Sequence, residues 1–347
     1  RYYDKTLKPQ SELTRGAQTA EPNMVVLLLY QPDGLLASTF RQIDYFRSKG
    51  MGIIIVSNAP LRADDLGVLQ QKCHLVLERP NYGYDFGGYR DGVLLVAEEG
   101  LQPDNLFLVN DSMWFPLRAD CTLIDTALAD DRDAFGIFVN TKSRRGTHHH
   151  LQSYFYRFKG RVVADPAFIA VWQHMPLFMD KRLVIRHQEV RMTGRIAALG
   201  YSYAALFSPQ DIVSAGEKLT ENELLEVAKF HASTTPRGKH VFGALASLRP
   251  DDPSWTSERT TALHRSRFRY YFIDAHPHVF LSQLKSPFLK KSLEYHFCVQ
   301  RDELVRLGLD AQLDDVIQAE VRSWNSQGTP GLPDGKSFPR YEDRDKS

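Results

Sequence analysis

Short unbroken apolar runs alternate along the chain with stretches of helical spacing. Residues 24–30 (MVVLLLY) are apolar without a break, as in a strand buried on both faces. Gln31-Pro32-Asp33-Gly34 follows as a turn. Leu36, Phe40, Ile43 and Phe46 then recur every three or four residues, which predicts an amphipathic helix. Gly50 and Gly52 end it, and residues 52–56 form a second buried strand leading into Ser57-Asn58. Strand, helix and strand with short connections make a βαβ unit and hence a parallel sheet. Further helices are predicted over 66–72, 89–99 and 190–199, the last closed by Gly200. Further strands are predicted over 74–77, 106–109, 134–139, 153–158 and 202–207. To about residue 208 this is a doubly wound α/β domain, which binds ligands beyond the carboxyl ends of its strands.

The flanks differ. Residues 1–22 are polar and non-periodic and read as an arm or linker, leaving 23–208 as the α/β domain. Residues 209–325 read as mainly helical, with a helix over 217–231, a strand-like piece mixed with helices over 262–297, and a helix or helical pair over 302–324. Residues 326–347 carry Gly, Pro and charge and read as a disordered tail.

Composition narrows the function classes. Of 347 residues 43% are hydrophobic, which excludes wholesale disorder. Lys and Arg number 43 against 42 Asp and Glu, so no nucleic-acid partner is expected from bulk charge. That neutrality is a cancellation, because residues 259–301 hold eight basic and two acidic side chains. In an extended strand Arg265, Arg267 and Arg269 would share one face, either simply solvated or suited to an anionic acceptor at a membrane surface. Cys73, Cys121 and Cys298 are odd in number and widely spaced, which argues for a reducing compartment without a disulfide framework or zinc site. No apolar run approaches the ~20 residues that cross a bilayer. A chain starting at Arg1 reads as a fragment or processed product.

Four segments carry candidate chemistry. Residues 78–92 (ERPNYGYDFGGYRDG) place Gly83, Gly87, Gly88 and Gly92 among Asn81, Asp85, Tyr89 and Arg90, between a strand and a helix. Such a loop lets backbone approach a pyrophosphate at a helix N-terminus; the plainer reading is a turn with tight helix packing. Asn110-Asp111-Ser112 ends an apolar strand, where a carboxylate can hold a divalent ion on a diphosphate, or simply cap a turn. Residues 146–154 contain His148, His149 and His150. In an extended segment His148 and His150 share a face, suited to a phosphate, a metal or a sugar hydroxyl; an exposed loop is the alternative. Glu189 precedes a predicted helix, either as a favourable first-turn acid or as a general base.

Together these segments resemble the rhamnan synthesis F family, bacterial glycosyltransferases of surface polysaccharide assembly. The likeness rests on residues 81–92 (NYGYDFGGYRDG), 109–112 (VNDS) and 150–155 (HLQSYF), and more weakly on His276-Pro277 through 287–290 (PFLK). It covers roughly residues 24–300. The chain more distantly resembles family 2 glycosyltransferases of GT-A fold, whose Glu-Asp-Val segment is similar to Gln188-Glu189-Val190, followed here by Arg195 and Gly200-Tyr201.

The resemblance implies a GT-A-type, Rossmann-like, mostly parallel sheet flanked by helices, with a mainly helical C-terminal extension. It implies an inverting transferase that moves a sugar from a nucleotide-diphosphate donor (dTDP-rhamnose-like, or a UDP or GDP sugar) to a bacterial surface polysaccharide. Glu189 would be the catalytic base. Donor contacts would come from Tyr30, Ser57, Asn58, Asn81, Gly83, Asp85, Gly87, Gly88, Arg90, Asn110 and Asp111. His149, His150, Gln152 and Ser153 would meet sugar or acceptor, and Asp111 would hold Mg2+ or Mn2+. Implied partners are an oligosaccharide or lipid-linked acceptor, a peripheral membrane contact through residues 259–301 at the cytoplasmic face, and other domains of a larger synthesis protein. The sequence departs from the GT-A pattern twice: Ser57 stands where an acidic residue commonly faces the nucleobase, and the metal motif keeps only Asp111. Arg90 or His150 would then neutralise the leaving diphosphate. A catalytically inactive sugar-binding or scaffolding module is the alternative function.

Overall fold

Residues 2–140, 149–269 and 272–326 are described by a computed structural model. The chain divides into two compact units, 1–208 and 209–347.

The first unit is built on one sheet. Its strands are β1 (Glu12–Arg15), β2 (Asn23–Leu29), β3 (Gly52–Ser57), β4 (Leu75–Glu78), β5 (Asn105–Asn110), β7 (Ala134–Asn140), β8 (His150–Leu151), β9 (Phe155–Lys159) and β10 (Tyr203–Phe207), while the two-residue β6 (Met113–Trp114) lies outside it. The order is β1-β4-β3-β2-β5-β9-β7-β10, with β8 pairing β7. Strands β4, β3, β2 and β5 are mutually parallel, as are β7 and β10, while β9 runs antiparallel between β5 and β7. The predicted α/β class with a mostly parallel sheet flanked by helices is the observed one.

The helices are α1 (Ala37–Ser48), α2 (Ala63–Lys72), α3 (Tyr84–Glu98), α4 (Leu123–Ala129), α5 (Gly160–Val163), α6 (Pro166–Gln173), α7 (Lys181–Val184) and α8 (Val190–Ala198). Residues 24–29 of β2 are at most 1% exposed, because helices cover both sheet faces. Met24, Val26 and Leu28 share a core with Phe86, Tyr89 and Val93 of α3 and Phe168 and Trp172 of α6.

Two elements differ from expectation. Residues 1–22 are not simply an arm: Tyr3 is buried, and β1 pairs antiparallel with β4 at the sheet edge. Helix α3 starts at Tyr84, five residues earlier than predicted, so Gly87, Gly88 and Gly92 are helical residues. A Cβ on Gly88 would lie 2.2 Å from Leu28 Cδ1, and one on Gly92 2.5 Å from Val26 Cγ1. These glycines therefore let α3 lie against β2. Gly83 precedes the helix in left-handed conformation (φ 85°), which only glycine adopts without strain.

In the second unit α9 (Pro209–Glu217), α10 (Glu221–Thr234), α11 (Pro236–Ala246), α12 (Trp255–Arg269), α13 (Tyr295–Arg306) and α14 (Asp315–Ser326) dominate. The helix predicted over 217–231 is split by a capping box, in which Thr220 and Glu223 each bond the other's backbone. The strand expected around Arg265, Arg267 and Arg269 is part of α12, and a spacing of two does not align residues on one helix face. Residues 327–347 lie outside the described residues. Among the described residues no helix is long and apolar enough to cross a membrane.

Candidate active site

The parallel strands β2, β3, β4 and β5 end on one edge of the sheet. The chain runs from β2 outward through β3 and β4, then returns to β5 on the other side of β2. That reversal makes β2/β5 the topological switch point, the place where doubly wound sheets leave a crevice.

Asp111 sits there. Its backbone N–H donates to Leu28 O at 3.0 Å. Its Oδ2 accepts from Tyr30 N and Gln31 Nε2, each at 2.8 Å. The preceding Asn110 donates through Nδ2 to Asp85 Oδ2 at 2.9 Å and accepts from Ser112 Oγ at 2.6 Å. Asp85 lies in the first turn of α3, so its negative charge occupies the helix end where a pyrophosphate was expected.

Behind these groups stands Tyr89, fully buried, whose hydroxyl donates to Ser153 O at 2.9 Å. Burial, joined by the nearby Asp85, Tyr156, Asp111 and Glu189, pushes its phenol well above the ordinary tyrosine range. Burial, then Glu189, likewise raises Tyr154 and Tyr156. Glu189 therefore acts on the same buried Tyr89 as Asp85 and Asp111, although it comes from a different part of the chain.

Glu189 is not at a helix N-terminus. Residues 181–198 form one helical run, with α7 and α8 joined by a π-helical turn, Ile185–Glu189, and Glu189 itself has helical angles. The first-turn explanation for this acid therefore fails, since its N–H groups are not those of a free helix end. Wide turns of this kind inside α-helices recur at functional sites. The half-buried Glu189 follows Gln188, which is wholly buried, donates to Pro176 O and leaves its Oε1 without a partner.

The remaining candidates divide. Ser57 and Asn58 lie at the end of β3 but turn inward: Ser57 Oγ donates to Ala59 O, and Asn58 Oδ1 accepts from Arg79. Tyr30 is exposed at the switch point, and Asn81 is exposed in the loop before α3. His149 is exposed and His150 half-buried on β8; His148 lies outside the described residues. Gln152 is 6% exposed and its Oε1 has no hydrogen-bond partner, a buried acceptor suited to a ligand hydroxyl.

Arg90 belongs elsewhere. Its guanidinium is buried and bonds Trp172 O, Gln173 O, Asp4 and Asp91. Both donor faces are spent on protein, so the expected role in neutralising a diphosphate does not fit this geometry. Gly87 and Gly88 likewise serve helix packing rather than ligand approach. A Cβ on Gly87 would lie 2.0 Å from Tyr82 O.

A metal was expected at Asp111. Among the described residues no three His, Cys, Asp or Glu side chains are grouped to hold one. The Asp111 and Asp85 carboxylates accept from neutral N–H donors instead. Among the described residues the protein alone therefore supplies no three-ligand metal centre.

The family model for rhamnan synthesis protein F matches residues 53–230, which include α3, the β5 end, β8, β9 and Glu189. The chain belongs to the rhamnan synthesis protein F family. With that family comes the enzyme class expected from the sequence, glycosyltransferase. An uncharacterized protein, y4gN, of Sinorhizobium fredii is 38% identical over 323 residues, 93% of this chain and 84% of its own length. The virulence protein VirA of Vibrio anguillarum is 33% identical over 123 residues, 34% of this chain and 36% of its own. Among solved structures, the galactosyltransferase LgtC with donor and acceptor sugar analogs aligns at 9% identity and a TM-score of 0.34, covering 69% of this chain and 83% of that one. The mannosyltransferase Ktr4p of S. cerevisiae aligns at 9% identity and 0.28, covering 47% and 62%. Scores this low carry no argument about chemistry.

Within this rhamnan synthesis F member, motif reading missed Tyr89 as the hub, Gln31 as the second donor to Asp111, and the buried pair Arg79–Asp91. Arg79 Nε donates to Asp91 Oδ2 at 2.7 Å and to Tyr3 Oη at 2.9 Å, and the Tyr3 hydroxyl donates to Asp91. All but Gln31 and Tyr3 lie in the string already singled out; a charged residue directly after an apolar strand was the available signal for Arg79.

Proposed function

We propose that this protein is an inverting glycosyltransferase whose donor lies across the carboxyl ends of β2, β3 and β5. The observation that carries this reading is the convergence of Asp85, Asp111 and Glu189 on Tyr89 at the sheet's switch point. The nucleotide extends toward Ser57-Asn58, and Tyr30 and the Asp111 loop flank the diphosphate. Glu189 takes the proton of the acceptor hydroxyl. That oxygen attacks the anomeric carbon from the face opposite the diphosphate, the bond to the diphosphate oxygen breaks, and the configuration inverts. Gln152 and His150 meet sugar hydroxyls. The family's name supports rhamnose as the transferred sugar, from a dTDP donor, onto an oligosaccharide or lipid-linked glycan at the cytoplasmic face of the bacterial membrane.

Glu189→Gln tests the base. A positioned general base contributes about 10^2–10^4-fold, so transfer should fall by that factor while binding of the nucleotide sugar, read by calorimetry, stays at the wild-type level. Unchanged turnover overturns the assignment. Donor binding without transfer in the wild type as well, across dTDP, UDP and GDP sugars, would leave the sugar-binding module as the function.

A further inference from the structure

A cavity of about 900 Å³ lies along α3, within the size range of ligand sites. Neither Asp111 nor Glu189 lines it. One wall is the N-terminal segment with Tyr2, Tyr3 and Lys8; the floor is Leu94 and Ala97 of α3; the far wall is Ile169 with Met175 and Leu177.

We propose that this groove binds neutral saccharide units of the growing glycan, apart from the donor site. The inference rests on the glycosyltransferase reading above, and its chemistry is argued from the groove itself.

Aromatic rings are presented at its entrance. Tyr2 is 61% exposed, its ring centroid 6.2 Å from that of Tyr82, which in turn stacks on Tyr3 at 5.6 Å. Tyrosine offers an apolar face with a polar tip, which matches a sugar ring with its C–H face and hydroxyl rim. The charges along the groove are already paired. Arg90 bonds Asp4 at 2.6 Å and Asp91 at 3.3 Å, and Lys8 bonds Glu98 at 3.0 Å. A phosphate would have to break these pairs, whereas a neutral polyhydroxyl ligand can hydrogen-bond at their edges and to Gln173 and His174.

The groove also leads the right way. Its near end is Tyr82 and Leu177, beside Gly83 and hence beside the start of α3, where Asp85 meets Asn110. Its far end is Ala97-Glu98, about 21 Å further along the helix at 1.5 Å per residue. That span holds several sugars of a chain whose tip reaches the strand ends.

The test compares a rhamnose disaccharide with a rhamnose hexasaccharide as acceptors for the wild type, Tyr2→Ala and Ala97→Trp. Both positions are exposed, so the fold tolerates the changes. The wild type should show a KM about tenfold lower for the hexasaccharide. Both variants should bring the two KM values within about twofold of each other with kcat unchanged. A length preference that survives in both variants, or is missing from the wild type, overturns the groove. Should neither acceptor be used at all, the transferase reading fails separately, and calorimetric titration of the hexasaccharide without donor decides the groove. Binding abolished by Ala97→Trp supports it; no wild-type binding, or binding of inorganic phosphate in its place, overturns it.

Discussion

The same substitution, glycine to alanine, should have opposite signs at two helices of the first unit. Alanine inside a helix is favoured over glycine by roughly 0.5–1 kcal/mol. At Gly194 in α8 a Cβ meets nothing within 4 Å, so Gly194→Ala should realise that gain. At Gly88 the Cβ would come to 2.2 Å from Leu28 Cδ1. Carbon atoms prefer about 3.5–4.0 Å, so more than an ångström must be recovered by moving a leucine that is 1% exposed in the central strand. Overpacking of this kind costs about 1–3 kcal/mol, which outweighs the helical gain. Gly87→Ala should be worse, because the obstacle is the Tyr82 carbonyl, a backbone atom that cannot rotate away.

The two variants should therefore differ by about 1–3 kcal/mol, or roughly 2–12 °C in Tm for a unit of this size. Thermal unfolding of the full chain, followed by near-UV circular dichroism, measures it. A rise in Tm for Gly88→Ala to match Gly194→Ala would refute the close approach of α3 to β2 and return these glycines to the ligand loop. In the packing account, Gly88→Ala protein that remains folded binds the nucleotide sugar as the wild type does.

Other consequences concern the core. Arg157 on β9 is fully buried and donates to the carbonyls of Ala127 in the last turn of α4 and of Asp130 and Arg132 just beyond it; Arg157→Met orphans them at about 1–3 kcal/mol each, so a urea titration showing a loss under about 1 kcal/mol would contradict the cap. Burial pushes the Cys73 thiol up to about 12, so iodoacetamide at pH 8 should label it only after unfolding; labelling at the rate of a free thiol in native protein would contradict its burial. The His276 ring 3.7 Å away and the Arg306 guanidinium at 2.7 Å hold the Glu303 carboxyl down to about 2, so its stabilisation is complete above its unfolded value near 4.5 and is lost as pH falls through about 2. Glu303→Gln should flatten the acid limb of Tm against pH in that window, and an unchanged limb would show that other groups carry it.

What the sequence conveys depends on how local the determining contacts are. Strands β2 and β3 were legible because burial on both faces writes an unbroken apolar run. The switch point was legible because β5 ends in Asn110-Asp111. The start of α3 was not, since four glycines within ten residues read as a loop, and only contact with Leu28 and Val26 makes small residues favourable there. The burial of Tyr3 was invisible, because its partners Arg79 and Asp91 lie more than seventy residues away. The helical run around Glu189 was not legible: the π-helical turn at 185–189 adds a residue to the helical period and so hides the helix from a count of three- and four-residue spacings.

The tyrosines explain how an acidic cluster can be held together at a site meant for an anionic donor. Tyr89, with its phenol pushed upward by burial and by three carboxylates, stays protonated across the working pH range and can only donate or accept a neutral hydrogen bond. It spends its donor on Ser153 O, which fixes the segment carrying His150 and Gln152 against α3. Asp85 accepts from Asn110, and Asp111 accepts from Tyr30 and Gln31. Glu189, from the helical run 181–198, acts on the same Tyr89 phenol. The Asp85 and Asp111 carboxylates thus act as structural acceptors that lock the β2 and β5 ends and α3 into one rigid edge. In the proposed reaction Glu189 is the carboxylate that meets the acceptor hydroxyl, and the exposed Tyr30 flanks the diphosphate.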